Sequence, residues 1–282
     1  MKFELLDALS LPGDGAKPNE DAFAHLDTSA LVLDGATPLG PSLLPGPSDA
    51  AWIAQFGARR LAAHLKDGDA PEEALEHALE DASRSFIGLS RQPVREKWQT
   101  PCASMMIASL GEDQRDLNFL WFGDCAAIVQ DEDEVTVIGE TVQRRREEAA
   151  RARMVAKTLN LSSAAGVNRP EIEPLLRAAR NRINSGRNWL FSPDPRAAKH
   201  AARQTMAVKE GDLILLASDG FLALVSDYDL YAPKSLLEAA RRDGLEGLGK
   251  ILRETEDADP VGDKYARFKK SDDATAVLLR VG

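Results

Sequence analysis

Apolar positions along this chain gather into short runs that stop on acids. Leu31-Val32-Leu33-Asp34-Gly35 has a β-branched centre and ends on a carboxylate and a glycine, so it reads as a buried strand. Leu213 to Ala217 repeats the device ahead of Ser218-Asp219-Gly220, and Phe119 to Phe122 runs into Gly123-Asp124. Near the other end the order is reversed, with Asp272-Asp273 standing before the apolar run Thr275 to Leu279. Four strand ends, each carrying an acid, predict one shared rim on which carboxylates converge.

The remaining pattern fills in around these strands. Residues 1 to 12 alternate weakly and read as an edge strand; Glu20 to Leu26 reads as a strand forming a hairpin with 31 to 34. Ser48-Asp49 can cap a helix to about Leu65, with Trp52, Ile53, Phe56, Leu61 and Leu65 at helical spacing. Pro71-Glu72-Glu73 opens a second helix to about Leu89, since proline and acids suit a first turn. Between Cys102 and Ile138 four runs (102 to 110, 117 to 122, 125 to 130, 134 to 138) are joined by short turns, which predicts an antiparallel meander.

Residues 141 to 203 break the pattern and read as an inserted helical flap. They hold an Arg-rich helix from Gln143 to about Leu159, a second helical piece near Glu171 to Ile183, and a loop with Trp189 and Phe191. Thr205 to Val208 and Leu213 to Ala217 read as a hairpin around Lys209 to Asp212, followed by helices at about Lys234 to Arg242 and Leu245 to Thr255. Strands in runs and helices in pairs indicate an α+β fold with helices outside antiparallel sheets.

Composition narrows the class. A length of 282 residues can bury a full core, and acid-tipped strands at both ends of the chain favour a single domain over 1–282. No stretch approaches the roughly 20 apolar residues that span a bilayer, and Met1-Lys2-Phe3-Glu4 does not open a signal peptide, so a cytoplasmic address without membrane partners is expected. Cys102 and Cys125, both in apolar runs, read as core residues in a reducing compartment. A formal charge of −10 argues against nucleic-acid binding. The four histidines, His25, His64, His77 and His200, show no mutual spacing for a metal or a triad and read as surface or helix-face residues.

Converging carboxylates repel by roughly 4 kcal/mol per pair at about 4 Å and an effective dielectric of 20, so they require a neutralising partner. An all-oxygen donor set without histidine or cysteine suits Mg²⁺, Mn²⁺ or Ca²⁺ rather than zinc. A pair of such ions activates water and clamps phosphoryl oxygens, which points to metal-assisted phosphoester hydrolysis.

The motifs Asn19-Glu20-Asp21, Asp34-Gly35, Gly123-Asp124, Ser218-Asp219-Gly220 and Ser271-Asp272-Asp273-Ala274-Thr275 resemble, in order and approximate spacing, those of the metal-dependent PP2C-type (PPM) serine/threonine protein phosphatases, in a divergent bacterial form. The resemblance implies a four-layer α-β-β-α sandwich of two antiparallel sheets flanked by helix pairs. It implies that Asp34 bridges two ions, that the Gly35 carbonyl ligates one, that Asp219 and Asp272 hold the other, and that Asp124 serves a third, weaker site. Glu20 and Asp21 would orient the attacking water, which displaces the phosphoryl group of a phosphorylated protein directly, with no phosphoenzyme.

Two positions depart from the family. Ala16 stands where an arginine usually holds the substrate phosphate, leaving Lys17 beside it as a point charge without the bidentate fork. Ala36-Thr37 replaces the histidine that protonates the leaving oxygen, a contribution typically worth about 10² to 10⁴ in rate, so aryl phosphates should turn over better than alkyl ones. These departures motivate the rival reading of a pseudophosphatase that binds a phosphoprotein or regulates a partner. A strand ending in Asp-Gly-Ala-Thr also resembles the nucleophile loop of haloacid dehalogenase-like phosphatases, but the second acid of that Asp-x-Asp loop is Ala36 here.

Overall fold

Ten strands make up two five-stranded sheets in the computed structural model, which describes residues 1–132, 134–139, 154, 173–265, 267 and 269–282. The first sheet has the order β1 (Phe3–Leu11), β10 (Ala274–Val281), β9 (Leu213–Ala217), β6 (Ala126–Asp131), β7 (Glu134–Ile138). The second runs β2 (Asp21–His25), β3 (Ser29–Gly35), β4 (Ala103–Leu110), β5 (Asp116–Phe122), β8 (Ala202–Ala207). Every neighbouring pair is antiparallel.

The sheets stack face to face because their central strands are apolar on both sides. Val32, Met106 and Phe119 of the second sheet pack with Val129, Ile214, Leu216, Val277 and Leu279 of the first. Leu31 and Leu33, one residue to either side of Val32, point the other way and pack beneath α1 (Asp49–Asp67) and α2 (Pro71–Leu89) with Ile53, Leu61, Leu75 and Leu79. The outer face of the first sheet is covered by α4 (Asp219–Ser226) and α5 (Pro233–Ala258), through Phe221, Leu224, Leu237, Leu248 and Leu252. This is the four-layer sandwich that the resemblance implied.

Both helices of the α1–α2 hairpin begin where the sequence places them. Ser48 caps α1 by accepting from the amides of Ala50 and Ala51, and α2 opens on Pro71. The helices expected at 234–242 and 245–255 form α5, whose backbone breaks at Gly244 (φ 78°, ψ 161°).

Three sequence expectations are corrected. The stretch 102–138 is not one meander: β4–β5 pair in the second sheet and β6–β7 in the first. The chain changes sheets at Gly123, whose φ of +70° suits a corner and where a Cβ would lie 2.2 Å from Ser104 Oγ. Likewise β8 and β9 do not form a hairpin; β8 edges the second sheet while β9 lies between β10 and β6. Their connection is tied instead to the end of β10, with the Gly211 amide on the Val281 carbonyl at 2.7 Å and the Val281 amide on the Asp212 carbonyl at 2.9 Å. Short apolar runs specify a strand but not which of two equally apolar sheets receives it. Helix α4 was not expected at all, because a helix buried on nearly all sides lacks the one-sided pattern that betrays a helix.

The expected helix from Gln143 to Leu159 lies outside the described residues. The second helical piece is α3 (Glu173–Arg180). Downstream of it Phe191 is fully buried and exchanges main-chain hydrogen bonds with Ala103, so this part of the segment belongs to the core. Among the described residues no helix is long and apolar enough to cross a membrane.

Candidate metal centre

The acids gather at one end of the sandwich because strand register carries them there. Asp21 and Asp34 are partners across the β2–β3 hairpin, and Asp34 is the partner of Ser104 on β4. Ser104 Oγ in turn donates to Asp124 Oδ1 at 2.5 Å, bringing in the crossing between the sheets. From the first sheet, β9 delivers Asp219 at the start of α4, and β10 begins just after Asp272 and Asp273. Carboxylate oxygens of Asp34, Asp124 and Asp219 all lie within 4.8 Å of one another.

The glycine of the Ser218-Asp219-Gly220 motif is needed for close approach. A Cβ on Gly220 would lie 2.0 Å from the Asp273 carbonyl oxygen. Asp273 itself holds the loop before β2, its carboxylate accepting from the amides of Gly13 (2.7 Å) and Glu20 (2.6 Å). It is therefore engaged as a clamp.

Electrostatically the cluster is strained. Burial pushes Asp34 well above the usual carboxylate range, and the charges of Asp219, Asp21, Asp272 and Asp124 add to the effect. Asp21 is likewise raised, first by burial and then by Asp273 and Asp272, against the lowering effect of the 2.8 Å hydrogen bond from Ser218 Oγ. Asp21 Oδ1 is, among the described residues, the one buried side-chain oxygen without a hydrogen-bond partner. An orphaned buried oxygen beside mutually repelling acids is a donor set suited to a hard divalent cation. Cys102 and Cys125 are free, buried thiols, held protonated by burial and, for Cys125, by the neighbouring Asp34.

Glu20 faces a different set of neighbours. Its carboxylate accepts from Thr37 Oγ1 at 2.8 Å and from Ser48 Oγ at 2.5 Å, and its carbonyl accepts from the Gly35 amide at 2.9 Å. Thus the α1 cap also orients an acid of the site. Lys17 stands apart, 66% exposed with its ammonium 3.8 Å from Asp14.

Two cationic features escaped the sequence reading. Lys269 Nζ donates to Asp272 Oδ1 at 2.8 Å and to Thr37 Oγ1 at 2.9 Å. Burial would lower its pKa, but Asp272, then Asp34 and Asp219, raise it on balance, so it carries full charge. Helix α3 clamps the loop after Gly35: Arg180 donates to the Thr37 carbonyl at 3.2 Å, and Arg177 to the Leu39 carbonyl at 2.8 Å while lying over the Trp98 ring at 4.0 Å. The adjacency of Lys269 to Ser271-Asp272 was the available signal for the first; no local pattern announces the second.

No family model matches the sequence, and no curated protein sequence matches it. Solved structures do match the fold. The catalytic domain of the serine/threonine protein phosphatase PstP, in complex with 2 manganese ions, aligns at TM-score 0.57 and 14% identity over 100% of this chain and 99% of that one. The PPM Ser-Thr phosphatase MsPP from Mycobacterium smegmatis, in complex with cacodylate, aligns at TM-score 0.55 and 16% identity over 99% of each chain. The serine/threonine phosphatase Stp1 from Staphylococcus aureus aligns at TM-score 0.59 and 13% identity over 99% of this chain and 96% of that one. The chain has the PP2C (PPM) phosphatase fold.

Proposed function

We propose that this chain hydrolyses phosphoserine and phosphothreonine monoesters in proteins, using two Mg²⁺ or Mn²⁺ ions. The observation that carries the reading is the meeting of the Asp34, Asp124 and Asp219 carboxylates within 4.8 Å, from three separate segments of chain. Asp34 and the Gly35 carbonyl, with Asp219 and Asp272, would hold the pair, and Asp124 would serve a third ion. When bound, such ions supply Lewis acidity, lowering the pKa of water and neutralising phosphoryl oxygens.

The chain's own groups supply the rest. Glu20, held by Thr37 and Ser48, and Asp21, held by Ser218, would accept hydrogen bonds from an attacking water. Lys269, its side chain 34% exposed, offers the substrate phosphate a positive charge where Ala16 cannot. Two of its three N–H donors are engaged with Thr37 and Asp272. Residues 1–282 would act as one catalytic unit in the cytoplasm on phosphorylated proteins, with the segment between β7 and β8 as its insert.

A second reading is favoured by one contact: Lys269 pairs with Asp272, an acid that the first reading assigns to a metal. An internal ammonium that keeps this place, together with Ala36 in place of a general acid, describes a phosphoprotein-binding module without turnover. Assay of p-nitrophenyl phosphate with Mn²⁺ separates the two. Hydrolysis by wild type that is lost in Asp34→Asn and Asp219→Asn supports the enzyme; equal background rates in all three leave the binding module.

A further inference from the structure

The α1–α2 hairpin, outside the acid cluster, brings together three donors that the linear spacing of histidines gave no reason to join. His64 lies in the last turn of α1, Asp69 in the connecting turn, and His77 on α2. His64 Nδ1 lies 3.3 Å and His77 Nδ1 2.7 Å from the same oxygen, Asp69 Oδ2. One ligand atom from each of the three residues lies within 4.8 Å of the others. Zn–N bonds of about 2.0–2.1 Å place tetrahedral ligands about 3.3 Å apart, the length of the His64–Asp69 contact; the 2.7 Å hydrogen bond between His77 and Asp69 would have to lengthen by about 0.6 Å. His64 and His77 do lie on helix faces, as expected, and the packing of the two helices is what brings them together.

The surroundings supply a second, independent indication. His64 presents its other ring nitrogen, Nε2, to Asp81 Oδ2 at 3.0 Å. A histidine that ligates a metal through one nitrogen characteristically donates the other N–H to a carboxylate, which fixes its tautomer. With Nε2 donating to Asp81, the Nδ1 lone pair of His64 faces Asp69; Arg60 also reaches Nε2, at 3.3 Å. A lone pair facing a carboxylate oxygen is repulsive until a cation lies between them. The two imidazole rings lie with centroids 5.2 Å apart beside that carboxylate.

We infer that His64, Asp69 and His77 form a surface site for a late first-row divalent cation, Zn²⁺ foremost, with the fourth position open to water. Imidazole nitrogens select such ions over the Mg²⁺ or Mn²⁺ suited to the acid cluster. The donors stand on a rigid frame: Gly68 closes α1 with φ +102°, and the Asp69 amide donates to the His64 carbonyl at 3.1 Å. Side-chain exposures of 19%, 27% and 50% leave a path for the ion. Bound there, it ties α1 to α2 at the far end of the helix pair.

The test uses the whole chain, stripped with a chelator and titrated with Co²⁺ alone, then with Zn²⁺. One equivalent of Co²⁺ should develop the intense visible absorption of a four-coordinate site, and Zn²⁺ should abolish it. The signal should persist in Asp34→Asn, disappear in His77→Ala, and require about 10-fold or more Co²⁺ in Asp81→Asn. In wild type, Zn²⁺ should shift the ring resonances of His64 and His77 and leave those of His25 and His200, a measurement needing no variant. Absence of the absorption, its survival in His77→Ala, or unmoved ring resonances overturns the site.

Discussion

Lys269 Nζ donates to Thr37 Oγ1 at 2.9 Å, joining residues that lie 232 positions apart in the chain. Thr37 passes the interaction on, donating to Glu20 at 2.8 Å. A cation from the loop before β10 is thus connected, through the hydroxyl that follows the Asp34-Gly35 motif, to an acid at the start of β2. If that charge serves the substrate phosphate, replacing Lys269 by methionine should raise the KM for p-nitrophenyl phosphate about tenfold or more, the value of one charge-assisted hydrogen bond, with a smaller change in kcat. Steady-state kinetics read this directly. An unchanged KM with tighter Mn²⁺ binding would assign Lys269 to guarding Asp272 instead.

Mn²⁺ should stabilise the protein, since a ligand that binds the folded state alone at 100 times its Kd adds about 2.7 kcal/mol. For a chain of this size that corresponds to a rise in Tm of roughly 5 °C or more. Thermal melts with and without Mn²⁺ test the prediction, and Asp34→Asn should abolish the shift.

Gly220→Ala should be poorly tolerated. The added Cβ would meet the Asp273 carbonyl at 2.0 Å, and backbone must move to admit it. A loss of about 1–3 kcal/mol is expected from overpacking, with a larger fall in activity, because the displaced loop carries Asp272 and Lys269. Chemical denaturation set beside the p-nitrophenyl phosphate assay separates the two effects.

Asp259 supports that loop from beneath. Its carboxylate accepts from the amides of Asp263, Lys264 and Tyr265 and from Arg267 at 2.8 Å. Burial alone would raise its pKa, but these bonds lower it overall. A carboxyl whose folded pKa is depressed contributes stability that is present above its unfolded value, about 3.9, and lost as pH falls through the lowered folded value. Asp259→Ala should cost about 3 kcal/mol at neutral pH, because it strands the Arg267 charge, and should flatten this part of the acid limb. Denaturation midpoints measured from pH 7 downward give both numbers.

The strands and their acid tips were legible because each is local: an apolar run, a carboxylate, a glycine. So were α1 and α2, with Ser48 and Pro71 at their starts. The assignment of strands to sheets was not, because β5 and β6 are separated only by Gly123, Asp124 and Cys125 and both sheets offer equally apolar neighbours. Lys17 drew attention by standing beside Ala16, yet the structure sets it in solvent with Asp14, while Lys269 reaches the acids from a loop that has no periodicity to read. The pairing of His64 with His77 becomes visible only when the two expected helices are folded against one another.

β10 lies between β1 and β9, so the tenth strand in chain order is an interior one. Without residues 274–281, β1 and β9 have no common neighbour. Such non-local pairing is slow to form and leaves strand edges open while it is awaited. A chain without this strand therefore holds neither a closed first sheet nor a settled acid cluster.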